Sequence, residues 1–238
     1  MDIFETLAVK EIRPYNEPRG YVRLVDCLPR IVPEGRGCDY VIAARARVST
    51  AQGLKTPEVD ARLIERLYKD NHTSPFEGVS FVYELEVPGF VAQQLLRHRT
   101  AKVNVFSQRY AEVPEELDWY TPPIRTAHPT NKQMSVPLDD SDRRHARIEA
   151  LQRRADDHLA DLFDLYRAMI REGCAREVAR YCLPNSTFTR LVFEMDLNNL
   201  IKFWRLRCAP DAQEETRVVA QAMKDLVKPL LPVVSGLL

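Results

Sequence analysis

The sequence lacks the short motifs that most often bind nucleotides or metal ions. Neither G-x-G-x-x-G nor G-x-x-x-x-G-K-[ST] occurs, so a Rossmann or P-loop nucleotide site is not expected. H-x-x-x-H and H-E-x-x-H are also absent, so no metal site is predicted. A G-x-S-x-G nucleophile elbow is missing too. A site for an anionic ligand must therefore be built from other residues.

The chain has no excess charge of either sign, with 34 basic and 34 acidic side chains. A global basic field is therefore absent, and no nucleic-acid partner is expected. The five cysteines are odd in number and contain no C-x-x-C pair, which favours free thiols in a reducing cytosol. No apolar run reaches membrane-spanning length, and the acidic start does not resemble a signal peptide. We therefore expect a cytoplasmic protein without a membrane partner.

Hydrophobic residues make up 45% of the chain, enough for a sizeable core. No internal repeat or linker interrupts it, so we predict a single domain over residues 1–238 of the α/β class (mixed α+β). Segment 1–38 and the proline-rich segment 112–140 are predicted to be irregular, the latter as a long loop that could form a lid. Residues 100–110 are also predicted to be a loop.

Alternating apolar residues predict strands over 21–28, 79–87 and 187–195. Apolar residues at steps of three and four, together with capping signals, predict the helices. The predicted helices cover 39–48, 56–70, 90–98, 141–173, 176–181, 196–207 and 210–229, with Asp39, Thr56 and Asp196 as N-caps.

The predicted helix 141–173 is long enough to serve an oligomer interface, although its pattern alone does not prove that role. Its polar side, which includes Asp156, is expected to be solvated. The opposite side carries an apolar stripe of Ile148, Leu151, Ala155, Leu159, Leu162, Tyr166 and Met169.

Residues 94–110 hold an unusual density of cationic and amide donors. Clustered guanidinium groups usually bind phosphates or a planar anionic ring, although such clusters can also form structural salt bridges. Arg207 extends an apolar seam with Leu200 and Trp204 on the predicted helix 196–207. An arginine in this position is costly unless an anion meets it.

Other polar residues allow a structural interpretation as well as a functional one. Ser49 can simply be a polar residue at a helix end. The polar residues of loop 71–77 can either stabilise a turn or line a ligand site. Ser107 has no histidine or aspartate at a helpful spacing, so a phosphate-binding or backbone role is favoured over a nucleophile. Cys182, between Tyr181 and Leu183, is interpreted as a buried thiol.

Arg97-His98-Arg99, followed by seven residues and Ser107, resembles the R-H-R-x7-S signature of the flavin-dependent thymidylate synthases. The resemblance covers roughly residues 40 to 225. Further similar blocks are Ala46-Arg47-Val48-Ser49, residues 72–77, Arg176 to Pro184, and Leu206-Arg207.

The resemblance implies the fold of that family, with a mixed sheet flanked by long helices, and a homotetramer that binds FAD between subunits. It implies methylation at C5 of a uracil nucleotide, with carbon from methylenetetrahydrofolate and hydride from NADPH through FAD. Arg207 is then the catalytic residue. The implied nucleotide-binding residues are Gln94, Arg97, Ser107, Gln108, Arg109, Arg180 and Arg207. The implied flavin-binding residues are Ser49, His72, Ser74, Glu77, Arg97, His98, Arg99, Asn104, Asn198 and Lys202.

The chain also departs from the family pattern. Lys102 and Val105 replace a serine and a glutamate, and Asp196, Asn198, Lys202 and Asp211 replace an asparagine, an arginine, an asparagine and a histidine that contact flavin. Losing the carboxylate at Val105 frees space near the nucleotide and can admit a 2′-hydroxyl. This resembles the uridylate methylases of polyoxin-type antibiotic pathways and predicts methylation of UMP as well as dUMP. The alternatives are a housekeeping dTMP synthase and a non-enzymatic anion- or RNA-binding module.

Overall fold

The structure is a computed structural model that describes residues 10–15 and 17–238, so the predictions for residues 1–9 and 16 lie outside the described residues. A five-stranded antiparallel sheet has the order β1-β2-β3-β7-β4, and β5 pairs with β6 in a separate hairpin. The strands are β1 (Glu11–Ile12), β2 (Tyr21–Leu28), β3 (Ser80–Pro88), β4 (Lys102–Val105), β5 (Arg125–Ala127), β6 (Ser135–Pro137) and β7 (Phe188–Asp196). The helices are α1 (Tyr40–Val48), α2 (Pro57–Lys69), α3 (Gly89–Leu95), α4 (His145–Arg171), α5 (Arg176–Ala179), α6 (Leu197–Arg207) and α7 (Glu214–Val227).

One face of the central strands forms the core. On β3 the alternating Phe81, Tyr83, Leu85 and Val87 are all fully buried, as their period of two predicted. Tyr83 lies opposite Phe193 of β7, and its hydroxyl donates to the Met223 carbonyl 3.2 Å away on α7. The mixed α/β class is confirmed, but the expected mixed sheet is wrong, because all the strand pairings of the described residues are antiparallel. The predicted strand 21–28 has the observed bounds, and the other two are shifted by one residue.

Two of the predicted caps are confirmed and one is wrong. Thr56 accepts a hydrogen bond from the Val59 amide at the start of α2, and Asp196 accepts one from the Asn199 amide at 3.0 Å. Asp39 makes no such bond to α1. Its buried carboxylate instead accepts from the amides of Val233 and Val234, at 2.8 and 3.0 Å. A tertiary partner from the other end of the chain therefore replaces the local one.

Several helix boundaries differ from the prediction. The long helix begins at His145, because the carboxylates of Asp139 and Asp142 hold the preceding residues in turns. It ends before Gly173, whose φ of +83° suits glycine. The last helix begins at Glu214, four residues after Pro210. The predicted helix 176–181 is α5 followed by a 3-10 turn at Arg180–Cys182, and the predicted helix 90–98 ends at Leu95.

The two predicted loops contain strands. Segment 100–110 includes β4, which pairs with the distant β7 so that Val103 faces Phe193 across the ladder. The proline-rich segment 112–140 contains the β5–β6 hairpin and the fully buried Leu117. Both segments are otherwise mostly loop, and the short strands within them depend on contacts that short-range periodicity does not report.

The prediction for the faces of α4 is also corrected. Asp156, expected to be solvated, accepts hydrogen bonds from the Trp119 indole at 3.0 Å and the Thr121 hydroxyl at 2.5 Å. Leu151, on the apolar stripe, is 60% exposed, whereas Tyr166 on the same stripe is buried. The proline-rich segment supplies donors to the polar side of the helix, and part of the apolar stripe therefore stays uncovered within the chain.

Candidate active site

Arg207 is held in place by three hydrogen bonds at the end of α6. Its Nε donates to His98 Nε2 at 2.9 Å, its Nη1 to Gln94 Oε1 at 3.1 Å and its Nη2 to the Gln94 carbonyl at 3.2 Å. Trp204 and Leu200, one and two turns earlier, are buried and anchor the helix. All three acceptors are neutral, and no carboxylate in the described part of the chain pairs with Arg207. Its positive charge is therefore available to a ligand.

His98 is fixed as a neutral acceptor. Because a guanidinium only donates, His98 Nε2 must accept from Arg207, which leaves the proton on Nδ1. Burial lowers the pKa of His98, and the neighbouring Arg207 guanidinium lowers it further. Burial also lowers the pKa of Arg207. The His98 ring packs edge-on against Phe203, with ring centroids 4.8 Å apart. The arginine and the histidine therefore form a rigid unit.

Gln94, which accepts from Arg207, also lines an open cleft of about 480 Å³, although Arg207 and His98 themselves do not line it. Its volume lies within the range of small-molecule sites. The exposed Arg97 stands at the cleft and has no carboxylate partner in residues 10–15 and 17–238. The cleft therefore suits an anionic ligand of nucleotide size. It is lined by Phe90, Gln93, Gln94, Arg97, Pro122, Arg125, Gln213 and Glu215.

A second group lies beyond β4. Arg109 Nε is 2.8 Å from Glu177 Oε2 of α5, and both side chains are about half exposed. Ser107 Oγ accepts from the Arg109 amide at 3.3 Å, which shapes the turn, and Gln108 between them is half-buried. Arg180, just after α5, is exposed. No hydrogen bond or ion pair of the described residues links this group to Arg207, so the predicted nucleotide ligands form two separate groups within one chain.

The predicted flavin ligands are also dispersed. Asn198 is buried and donates to Glu77 Oε1 at 3.3 Å, and Lys202 lies exposed one turn later on α6. The 3-10 turn Ser74–Gly78, which includes Glu77, packs against both α1 and α6. Ser49 Oγ donates to the Ala46 carbonyl at 3.0 Å, which agrees with the structural interpretation of a helix end.

Near the R-H-R segment, Arg99 and Asn104 are exposed, and so are His72 and Ser74 elsewhere on the surface. Lys102, which replaces the family serine, is bound to Glu194 at 2.6 Å, so its charge is compensated. Arg97 and Arg99 have no acidic partner among the described residues. Two uncompensated guanidinium groups beside an edge strand suit a diphosphate such as that of FAD.

Sequence reasoning did not select Gln213, Glu215 and Arg125. The Gln213 side-chain oxygen accepts from the side-chain NH2 group of Gln94, and its own NH2 group donates to Glu215 Oε2 at 3.0 Å. Arg125 donates to the other carboxylate oxygen of Glu215. The available signal was Glu215 itself, which extends a seam with Val219 and Met223 at steps of four. A buried acid on an apolar seam is as informative as the arginine at position 207.

The sequence model of the family described as "Thymidylate synthase complementing protein" matches residues 30–233. A flavin-dependent thymidylate synthase of Thermus thermophilus is 40% identical over 215 residues, which span 90% of this chain and 73% of that protein. The chain belongs to the flavin-dependent thymidylate synthase family. Another member, from Dictyostelium discoideum, is 36% identical over 221 residues, covering 90% of this chain and 69% of that protein.

A solved crystal structure is also similar to this protein. It is the crystal structure of the UMP/dUMP methylase PolB from Streptomyces cacaoi bound with 5-Br UMP, and a second one holds 5-Br dUMP. The first is 28% identical with a TM-score of 0.76, and the match covers 92% of this chain and 93% of that chain. Among the described residues, no helix is long and apolar enough to cross a membrane.

Proposed function

We propose that this protein methylates C5 of a uracil nucleotide, with methylenetetrahydrofolate as carbon donor and NADPH as reductant. Membership of the flavin-dependent thymidylate synthase family supports this activity and FAD as its cofactor. The observation that carries the proposal is the fixed, uncompensated Arg207 guanidinium, which is bound to Gln94 in the wall of a cleft of nucleotide size. The test is formation of a 5-methyluracil nucleotide by purified protein supplied with FAD, NADPH and the folate donor.

C5 of uracil is a poor nucleophile, and reaction there draws negative charge onto the ring carbonyls and N3. Arg207 stabilises that charge, and since His98 and Gln94 already hold its guanidinium, it does so without reorganisation. Bound FAD supplies the hydride chemistry that links NADPH to the transferred one-carbon unit. This chain's own residues bind and orient the nucleotide.

The remaining ligands are proposed by their position in the family motifs. Arg109, Arg180 and Ser107 with Gln108 hold the nucleotide phosphate, and Gln94 and Arg97 contact the nucleotide from the cleft. FAD contacts the R-H-R segment and the 3-10 turn with its flanks. The flavin-contacting residues are Ser49, His72, Ser74, Glu77, Arg97, His98, Arg99, Asn104, Asn198 and Lys202.

The proposed assembly is a homotetramer whose sites are shared between subunits. Two features support it: no hydrogen bond or ion pair of the described residues links the Arg207 and Arg109 groups, and Leu151 and Tyr181 are 60% and 73% exposed. Mixing two inactive variants, Arg207→Ala and Arg109→Ala, is the test. If each site combines the two residues from different subunits, random mixing leaves about a quarter of the sites intact. If both residues come from one chain, mixing recovers no activity.

UMP is proposed as a substrate alongside dUMP, as expected for an antibiotic-pathway methylase. Val105 lies 41% exposed on the edge strand β4, opposite Leu191, and carries no charge where the family has a glutamate. PolB, a UMP/dUMP methylase whose structures hold analogues of both nucleotides, supports the use of both. Competition between equimolar UMP and dUMP tests it, and Val105→Glu is expected to shift turnover towards dUMP.

The second candidate is a dTMP synthase confined to dUMP. The higher identity to the Thermus enzyme, 40% against 28% for PolB, favours it. If wild-type kcat/KM is about 100-fold or more higher for dUMP than for UMP, equivalent to nearly 3 kcal/mol in the transition state, the dUMP-specific synthase is the only candidate left. A comparable kcat/KM for the two nucleotides would exclude it.

A further inference from the structure

A continuous chain of polar contacts leads away from Arg207 to the proline-rich segment. Arg207 Nη1 donates to Gln94 Oε1 at 3.1 Å, and Gln94 Nε2 donates to Gln213 Oε1. Gln213 Nε2 then donates to Glu215 Oε2 at 3.0 Å. Glu215 also accepts from Arg125 Nη2, so the relay joins two guanidinium groups through one carboxylate and two amides.

The two ends of the relay fix the orientation of both amides. Glu215 can only accept, so Gln213 must turn its NH2 group towards it and its oxygen towards Gln94. Gln94 must then offer its NH2 group to Gln213, which leaves its oxygen facing Arg207. Because a guanidinium only donates, this is the single orientation that satisfies every member.

We propose that Glu215 is a positioning residue for Arg207, acting through Gln213 and Gln94. The inference rests on the proposed role of Arg207 in uracil methylation. The Glu215 carboxylate polarises both amides in the same sense, so that Gln94 presents a stronger acceptor to the arginine. It also opposes the positive charge of Arg207 from a distance, without pairing with the guanidinium directly.

Arg125 pairs with the buried carboxylate of Glu215. The Glu215 side chain is only 2% exposed and that of Arg125 12%, so an unpaired carboxylate here would be strongly disfavoured. Arg125 Nη1 also binds Glu214 Oε2 at 2.7 Å, and the Glu214 side chain is 42% exposed. Arg125 is the first residue of β5, so the proline-rich segment takes part in positioning the site through this contact.

Replacing Glu215 by glutamine tests the relay without changing side-chain size. Arg125 still only donates, so the new amide at position 215 must turn its oxygen towards Arg125 and its NH2 group towards Gln213. Gln213 and Gln94 must then both turn over, which places the Gln94 NH2 group against Arg207. We expect kcat/KM for dUMP to fall about tenfold or more and the dissociation constant of dUMP to rise, since a bond to a charged donor is lost.

Glu214→Gln is the matched control, because it makes the same chemical change on the same arginine outside the relay. Its kcat/KM is expected to stay within about twofold of wild type, as for other exposed charges. FAD content and melting temperature are measured for both variants. A merely structural Glu215 would lower the melting temperature and leave kcat/KM for dUMP close to that of the control.

The rescue variant exchanges the two side chains, Gln213→Glu with Glu215→Gln. The carboxylate now at position 213 can accept from both the amide at position 215 and Gln94, which turns the Gln94 oxygen back towards Arg207. We expect kcat/KM to return to within about threefold of wild type, because the original direction of donation is restored. A double variant as slow as Glu215→Gln, or a Glu215→Gln variant as fast as the control, would overturn the relay while wild-type activity stands. Wild-type protein that neither binds nor methylates a uracil nucleotide would overturn the proposed function and the relay together.

Discussion

Replacing Arg207 by lysine keeps the positive charge and removes the fork of donors. Arg207 donates from three nitrogens, to the His98 ring, the Gln94 side chain and the Gln94 carbonyl. A lysine has one nitrogen on a flexible stem and can reach only one of these directions. At least two bonds from a charged donor are lost, and each contributes about 1.5–3 kcal/mol.

Part of that loss is recovered, because Arg207 is only half-buried and water can approach the abandoned acceptors. The remaining deficit is about 2–3 kcal/mol in transition-state stabilisation, equivalent to about 30- to 150-fold in kcat/KM. The assay is steady-state turnover of dUMP at saturating folate and NADPH, with FAD content measured for each preparation. Arg66→Lys, an exposed arginine on α2, is the control and is expected to match wild type.

The result that would refute the role of Arg207 is a lysine variant within about twofold of wild type in kcat/KM. A variant that loses FAD would place the arginine in flavin binding instead. A selective rise in KM at constant kcat would mean that Arg207 holds the nucleotide equally in the ground state and the transition state.

Three further outcomes concern stability. Folding lowers the pKa of His98, so the folded protein favours the neutral ring. The stability that neutral His98 contributes is fully present above the unfolded-state pKa of about 6.5 and is lost as the pH falls below that value. His98→Gln should remove this pH dependence of the free energy of unfolding, measured by urea titration. Asp60→Asn leaves the buried Arg47 without its charge partner and should cost about 3–5 kcal/mol, measured as a lower urea midpoint. Phe193→Ala empties a fully buried site and should cost about 3–5 kcal/mol with an unchanged m-value, whereas Leu151→Ala on the exposed stripe should cost less in a monomeric chain.

How far the sequence predicts the fold depends on how local each signal is. The alternation along β3 and the cap at Thr56 were interpreted correctly, because a strand with one buried face and a helix start are encoded within a few residues. The strand β4 was missed, because only four residues pair and their partner strand lies about ninety residues later. Asp156 was misjudged for the same reason, since its donors come from the proline-rich segment.

The candidate site divides in a similar way. The arginine at position 207 was identified from its place on an apolar seam, and the sequence predicted that an anion would meet it. In the structure its partners are instead the neutral His98 and Gln94, which leaves the anion to be supplied by a ligand. Glu215 carries the same kind of signal on α7 and was overlooked, because its partners are known only once α3 and α7 are placed together.

By itself, the sequence determined which strand faces are buried, where two of the helices are capped and which arginines are costly unless paired. These properties follow from hydrophobic periodicity and from the desolvation of charge, and both act over a few neighbouring residues. Only the tertiary structure decided which acceptors meet Arg207, which way the amides of Gln94 and Gln213 point, and that a carboxylate on α7 stands behind them. Hydrogen bonds are short and directional, so their partners are set when distant segments pack within about 3 Å of one another.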